Sequence, residues 1–277
     1  MLDGPEDVLG EKIVSQNALS GGDIHDTSVI TTESGSKYVV KSSNQTGFFE
    51  AEADGLKELA SAEAIRVPVV VAAEPNFLII EYIEPVPKKS GFFSKFGSDL
   101  AKMHRKSAEQ FGHHRDNFIG RLPQDNAKCS SLTDFFGEHR FLHLSRLGRD
   151  QGSVGAGLAR SIEKLVARLG ELFEPIQEPP ALLHGDLWGG NYLSSKEGAV
   201  LIDPAVYYGP READMAMTKL FGGFSPEFER GYEEEYPLPS GWRERVELFN
   251  IYHLLTHTIM FGGGYAAQAE GAIRKYL

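Results

Sequence analysis

Hydrophobic and polar positions change period part-way along this chain. The β-branched runs at 27–32 and 37–41 flank Glu33-Ser-Gly-Ser36 and predict two strands joined by a turn. Phe48, Phe49, Ala53, Leu56, Leu59 and Ala60 then recur at helical spacing and predict a helix over 47–62. Phe77-Leu-Ile-Ile-Glu81 reads as a buried strand that runs into Pro85 and Pro87, where proline geometry stops it. Beyond residue 92 the helical period dominates, over 93–109, 132–147, 154–173, 211–220 and 242–261. The only strands predicted there are short apolar pieces at 181–183, 192–193 and 199–202. The pattern predicts an α+β chain of two lobes: a small β-rich lobe over 1–84 and a larger, mainly helical lobe over 85–277.

Polar residues of one chemical kind sit at the ends of those short strands. His184-Gly-Asp-Leu-Trp-Gly-Gly-Asn191 places a carboxylate at Asp186 and a carboxamide at Asn191, and Leu201-Ile-Asp203 adds a second carboxylate. This order and spacing resembles that of kinase-fold phosphotransferases, in which an Asp accepts a hydroxyl proton while an Asn and a later Asp hold Mg²⁺ on ATP. Phosphoryl transfer requires mainly positioning and charge neutralisation, which hard oxygen ligands beside one proton acceptor provide. Upstream, Lys41 ends a predicted strand and Glu52 lies on the helix that follows, a pair suited to gripping phosphates, with Glu50 as a competing partner. Gly21 and Gly22 would let backbone approach the phosphates closely. Glu81, at the end of its strand, would bring backbone groups beside an adenine ring. His184 is expected to brace the loop through backbone hydrogen bonds, and Asp214 to cap a helix or tether the metal-binding loop.

Other features exclude alternatives. Residues 152–157 are glycine-rich but lack the G-x-G-x-x-G order, and no Walker-type phosphate loop exists. The helical-spaced pairs His139/His143 and His253/His257 lack the Glu of a zinc-protease motif, so packing or capping is the expected role. A formal net charge of −11 argues against a nucleic-acid surface. Cys129 is the sole cysteine, so no intrachain disulfide forms. The acidic start of the chain does not read as a signal peptide, and the apolar run at 67–73 is too short to span a bilayer. A cytoplasmic protein without membrane or nucleic-acid partners is expected, as a monomer or weak homodimer.

The assembled motifs resemble the fructosamine kinase (ketosamine-3-kinase) family, a branch of the aminoglycoside/choline-kinase-like phosphotransferases with a protein-kinase-like two-lobed fold. The resemblance spans about residues 21–265. It rests on the His184–Asn191 segment, Asp203-Pro-Ala-Val-Tyr-Tyr-Gly209, Arg211-Glu-Ala-Asp-Met-Ala216, Leu220-Phe-Gly-Gly-Phe224, Asp116-Asn-Phe-Ile-Gly120, Phe49-Glu-Ala-Glu52 and Phe261-Gly-Gly-Gly-Tyr265. It implies ATP- and Mg²⁺-dependent phosphorylation of a ketosamine such as a fructosamine or ribulosamine, free or protein-linked, at its third carbon, with deglycation following. Asp186 would be the base, Asn191 and Asp203 the magnesium ligands, and Asn117, Trp188 and Trp242 acceptor-pocket candidates. The chain departs from the family pattern at Asp23, where some members carry cysteine, and at Thr256 and Leu132, where Asn and Trp are expected. Those departures bear on the acceptor, so another small-molecule kinase of the superfamily is the alternative. A nucleotide-binding pseudokinase is a further one, although no key residue is missing.

Overall fold

The computed structural model describes residues 4–19, 26–43 and 47–277. Gly21 and Gly22 lie outside the described residues. After a short helix α1 (Pro5–Leu9), strands β1 (Ile13–Ala18), β2 (Asp26–Thr32), β3 (Lys37–Ser42), β4 (Val70–Glu74) and β5 (Phe77–Glu81) form one antiparallel sheet in the order β1-β2-β3-β5-β4. Helix α2 (Phe48–Ala60) crosses between β3 and β4. The alternation in β2 buries Ile30 against Val40, Phe77 and Ile79 on one face of the sheet. Lys41 pairs in register with Thr27 and Leu78, so the lysine is held inside the sheet and not at an edge.

Helices dominate the second lobe: α3 (Phe92–Met103), α4 (Leu132–Phe136), α5 (His143–Asp150), α6 (Ala156–Phe173), α7 (Arg211–Leu220), α8 (Pro226–Glu235), α9 (Trp242–Phe261) and α10 (Tyr265–Arg274). A π-helical turn over Gly137–Leu142 joins α4 to α5. Three short antiparallel ladders punctuate them: β6 (Asn117–Ile119) with β7 (Leu122–Gln124), β8 (Ala181–Leu183) with β11 (Tyr207–Gly209), and β9 (Tyr192–Ser195) with β10 (Gly198–Leu201).

The helix expected over 93–109 ends at Met103, because the chain beyond it is drawn into extended pairing: the Leu182 amide donates to Lys106 O, and Ser107 bridges Ala181. The β6–β7 hairpin, α8 and α10 were not among the expected elements. One apolar cluster runs through both lobes, joining Phe49 and Leu56 of α2 to Phe96 and Leu100 of α3 and to Leu182, Leu187 and Val206 around the polar loops. Helix α2 is therefore seated on the helical lobe as well as on its own sheet.

Candidate active site

The loop after β8 is built around close backbone approach. Gly185 has φ +82°, and a Cβ there would lie 2.0 Å from the Ala205 carbonyl oxygen, so only glycine fits. Asp214, buried on the first turn of α7, accepts hydrogen bonds from the amides of His184 (2.7 Å) and Gly185 (2.9 Å) and from His104 Nε2 (3.2 Å). It thus tethers the loop that carries Asp186, rather than the segment at Asp203. The start of α7 is anchored in turn by two ion pairs, Arg211 with Glu178 (2.6 Å) and Arg245 with Glu212 (2.7 Å). His184 is buried and held below its usual pKa by desolvation, and is therefore neutral. Its Nδ1 accepts from the Asp186 amide and its Nε2 donates to Ile202 O, bracing the loop at both ends.

Asn191 donates through Nδ2 to Asp186 O (2.8 Å) and Asp186 Oδ2 (2.9 Å). Both amide protons are spent on Asp186, which leaves the carboxamide oxygen as the group able to take a cation. Burial pushes the Asp186 carboxyl up to about 7, with the negative charges of Asp203 and Asp214 adding to the rise and the Asn191 hydrogen bond opposing it. Asp203 has φ +54°, a left-handed conformation rarely adopted by a non-glycine residue and common at functional sites. Lys41 Nζ lies 2.5 Å from Glu52 and also contacts the Asp203 carboxylate. Burial alone would lower the lysine pKa, but the facing Asp203 and Glu52 outweigh it, and the ammonium stays charged.

Lys41, Glu52, Asp186, Asn191 and Asp203 therefore line one cleft of about 520 Å³. Trp188 lines it too and is 40% exposed. Its indole lies against Gly190, where a Cβ would fall 2.3 Å from the ring. The remaining wall is aromatic and comes from α9 and its surroundings. The His257 ring sits 4.7 Å from Phe221, 5.3 Å from Phe261 and 5.0 Å from Tyr265, measured between centroids. The Phe-Gly-Gly turns and the His253/His257 pair were visible in the sequence, but their convergence on the cleft was not. Thr256 lines the cleft as well, yet its hydroxyl donates back to Tyr252 O within the helix.

Of three further expected site residues, Asn117 lines the cleft, whereas Glu81 and Trp242 do not. Trp242 is a correction: its ring is buried in the apolar cluster beneath α8, and Nε1 donates to Glu233 at 2.7 Å, away from the cleft. The Glu81 carboxylate turns to Arg66 (2.5 Å) and to the Val69 amide (3.2 Å), and the Glu81 amide donates to Val69 O (2.9 Å). Asn117 borders the cleft, but its amide is committed to the framework. Nδ2 donates to Val206 O, and Oδ1 accepts from Gln124 and Asn126. Gln124 also holds Ala205 O and receives Tyr252 OH, so this buried network positions the segment following Asp203. The remaining histidine pair is divided: His139 bonds Asp125 (2.7 Å), while His143 bonds Pro123 O.

The sequence profile described as fructosamine kinase matches residues 6–277. The chain belongs to the fructosamine kinase family. It is 37% identical over 262 residues to a probable ketoamine kinase of Enterococcus faecium, covering 92% of this chain and 93% of that protein. A chloroplastic protein-ribulosamine 3-kinase of Oryza sativa subsp. indica is 36% identical over 281 residues, covering 96% of this chain and 80% of the rice protein. Among solved structures, a candidate fructosamine-3-kinase of Thermobifida fusca superposes with a TM-score of 0.89 at 34% identity, covering 97% and 95% of the two chains. The two-lobed, protein-kinase-like α+β fold agrees with that placement. No helix among the described residues is long and apolar enough to cross a membrane.

Proposed function

We propose that this protein is an ATP-dependent kinase that phosphorylates a sugar hydroxyl of a ketosamine, a fructosamine or ribulosamine, and so initiates deglycation. The observation that carries this reading is the convergence of Lys41–Glu52, Asp186, Asn191 and Asp203 on one cleft with an aromatic far wall. In this reading the division between lobes falls near residues 84 and 85, with the nucleotide held mainly from the sheet side.

The residues divide the work as follows. Lys41, kept charged by its carboxylate neighbours, grips the ATP phosphates. Asp203, with a half-exposed side chain, and the Asn191 oxygen form a hard donor set that fits Mg²⁺. When bound, that ion neutralises charge on the transferring phosphoryl group. Asp186 accepts the proton of the acceptor hydroxyl, oriented for that task by the Asn191 amide and by the Asp214 tether on its loop. Its raised affinity for a proton, caused by burial, suits a base working near neutral pH. Trp188 and the aromatic wall would receive the amine-bearing arm of the ketosamine. A protonated amine over such rings gains about 0.5–2 kcal/mol.

The test is kcat/KM with MgATP for a ribulosamine or fructosamine, against the parent sugar, choline and kanamycin, with the product phosphate located by NMR. A strong preference for the ketosamine, phosphorylated at the third carbon, is expected. Equal use of the parent sugar, or a preference for choline or kanamycin, would refute the ketosamine reading and leave a kinase of another acceptor.

A further inference from the structure

A second constellation of ligand-type side chains lies outside the cleft. Asp54 sits on α2, two residues beyond Glu52, while His113 and His114 belong to the segment between α3 and β6. His113 Nε2 lies 3.0 Å from Asp54 Oδ2, and His114 Nε2 lies 3.2 Å from Asp54 Oδ1. The three ligand atoms all fall within 4.8 Å of one another. Tetrahedral coordination with imidazole and carboxylate bonds of about 2.0–2.2 Å separates ligand atoms by roughly 3.3–3.5 Å, so the widest pair would close by at most about 1.5 Å. None of the three residues lines the main cleft.

The setting suits a metal better than a simple ion pair. His113 is almost fully enclosed, and desolvation lowers its pKa, opposed by Asp54. With its ring proton on Nδ1, His113 presents the Nε2 lone pair to a cation on the Asp54 side. Glu58, one turn along α2, reinforces the negative charge while bonding Tyr208 OH (2.7 Å) and Lys106 (2.9 Å). A cavity of about 260 Å³, bordered by Glu58, Gln110, His113, His114, Lys128 and Tyr208, leaves room for a fourth ligand such as water.

We propose that Asp54, His113 and His114 form a second cation site that binds a zinc-class divalent ion between α2 and the helical lobe. Two imidazoles and one carboxylate are a donor set for Zn²⁺ or Co²⁺, whereas Mg²⁺ prefers oxygen alone. The bound ion ties the helix that carries Glu52 to the helical lobe, beside the existing Lys106–Glu58 contact. It acts on the seating of α2 and takes no part in the phosphoryl chemistry. This inference does not depend on the identity of the acceptor.

The experiment uses full-length protein stripped of metal with EDTA and freed of the chelator. It is titrated with ZnCl2 by calorimetry in excess MgCl2, and with CoCl2 to follow the visible d–d band of a nitrogen-bearing tetrahedral site. One ion per chain is expected, together with a zinc-dependent rise in Tm. His114→Ala, at a half-exposed position, and Asp54→Asn should each weaken binding by at least about tenfold and abolish the rise in Tm. Asp203→Ala should retain both effects. Absence of stoichiometric zinc binding in the wild type would overturn the proposal. Unchanged affinity in the His114 and Asp54 variants would do the same, as would loss of binding in Asp203→Ala, which would place the ion in the main cleft.

Discussion

Replacing Lys41 with Met should separate the electrostatic role of the lysine in folding from its role in catalysis. Glu52 is 7% exposed and Lys41 10% exposed at the side chain, so the substitution leaves a carboxylate buried without its counter-charge. Breaking a buried pair in this way costs about 3–5 kcal/mol. Two effects reduce that cost. The methionine stem packs in place of the lysine stem, and Glu52 can take up a proton. Asp203, 47% exposed, is screened by water and adds little. A net loss of roughly 2–4 kcal/mol at pH 7.5 is therefore expected, and at about 2–4 °C per kcal/mol it should appear as a Tm lower by roughly 4–16 °C. Lowering the pH should shrink the difference, because protonated Glu52 no longer needs a partner. Lys41→Met with Glu52→Gln leaves no buried charge at the pair, and its stability should return to within about 1 kcal/mol of wild type. Activity should not return: kcat/KM for ATP should be down at least about 10²-fold in both variants, since neither can grip the phosphates. Urea unfolding and ATP kinetics on wild type, Lys41→Met, Glu52→Gln and the double variant complete the cycle. A Lys41→Met variant as stable as wild type, or a double variant no more stable than the single, would refute the buried-pair reasoning. Unaltered ATP kinetics would remove Lys41 from the phosphate site.

Three further outcomes are expected. Asp186→Asn should retain MgATP binding but lose turnover by about 10²–10⁴-fold, and near-wild-type rates would remove it as the base. Asp203→Ala should raise the Mg²⁺ concentration needed for half-maximal rate and lower the maximum, so an unchanged Mg²⁺ titration would refute its assignment as ligand. Asp214→Asn turns an amide donor toward the backbone N–H groups of His184 or Gly185, at a cost of about 1–3 kcal/mol for the unpaired buried group. Because Asp214 acts through the loop, kcat should fall with little change in KM for ATP. Equal losses in both parameters would indicate a general structural defect instead.

Residues close together in the chain declare their chemistry through local rules. The helix Ala156–Phe173 appears where the 3.6-residue period places it, burying Leu158, Ile162, Leu165, Leu169 and Phe173 at spacings of three and four. The polar residues Asp186, Asn191 and Asp203 follow or precede short apolar strands for the same local reason. Local rules failed where distant segments compete or where composition blurs the period. The chain after Met103 pairs with β8 instead of continuing a helix. The α8 segment, Pro-Glu-Phe-Glu-Arg-Gly-Tyr-Glu-Glu-Glu, buries only Phe228, Gly231 and Tyr232, and α10 only Ala269, Ala272 and Ile273, so each carries few large apolar residues to mark it. Trp242 illustrates the limit for a single residue: an indole suits an acceptor pocket or a core equally well, and only the packing of α8 against it and the nearby Glu233 acceptor chose the core. Phe221 meets His257 although 36 positions separate them, and Asp54 meets His113 across 59. The chain by itself thus marked the candidate polar residues Lys41, Asp186, Asn191 and Asp203 and most helices, because these depend on neighbours within a turn or a strand. Tertiary packing decided which side chains share a cavity, because burial and charge pairing act through space between segments whose separation along the chain carries no local signal.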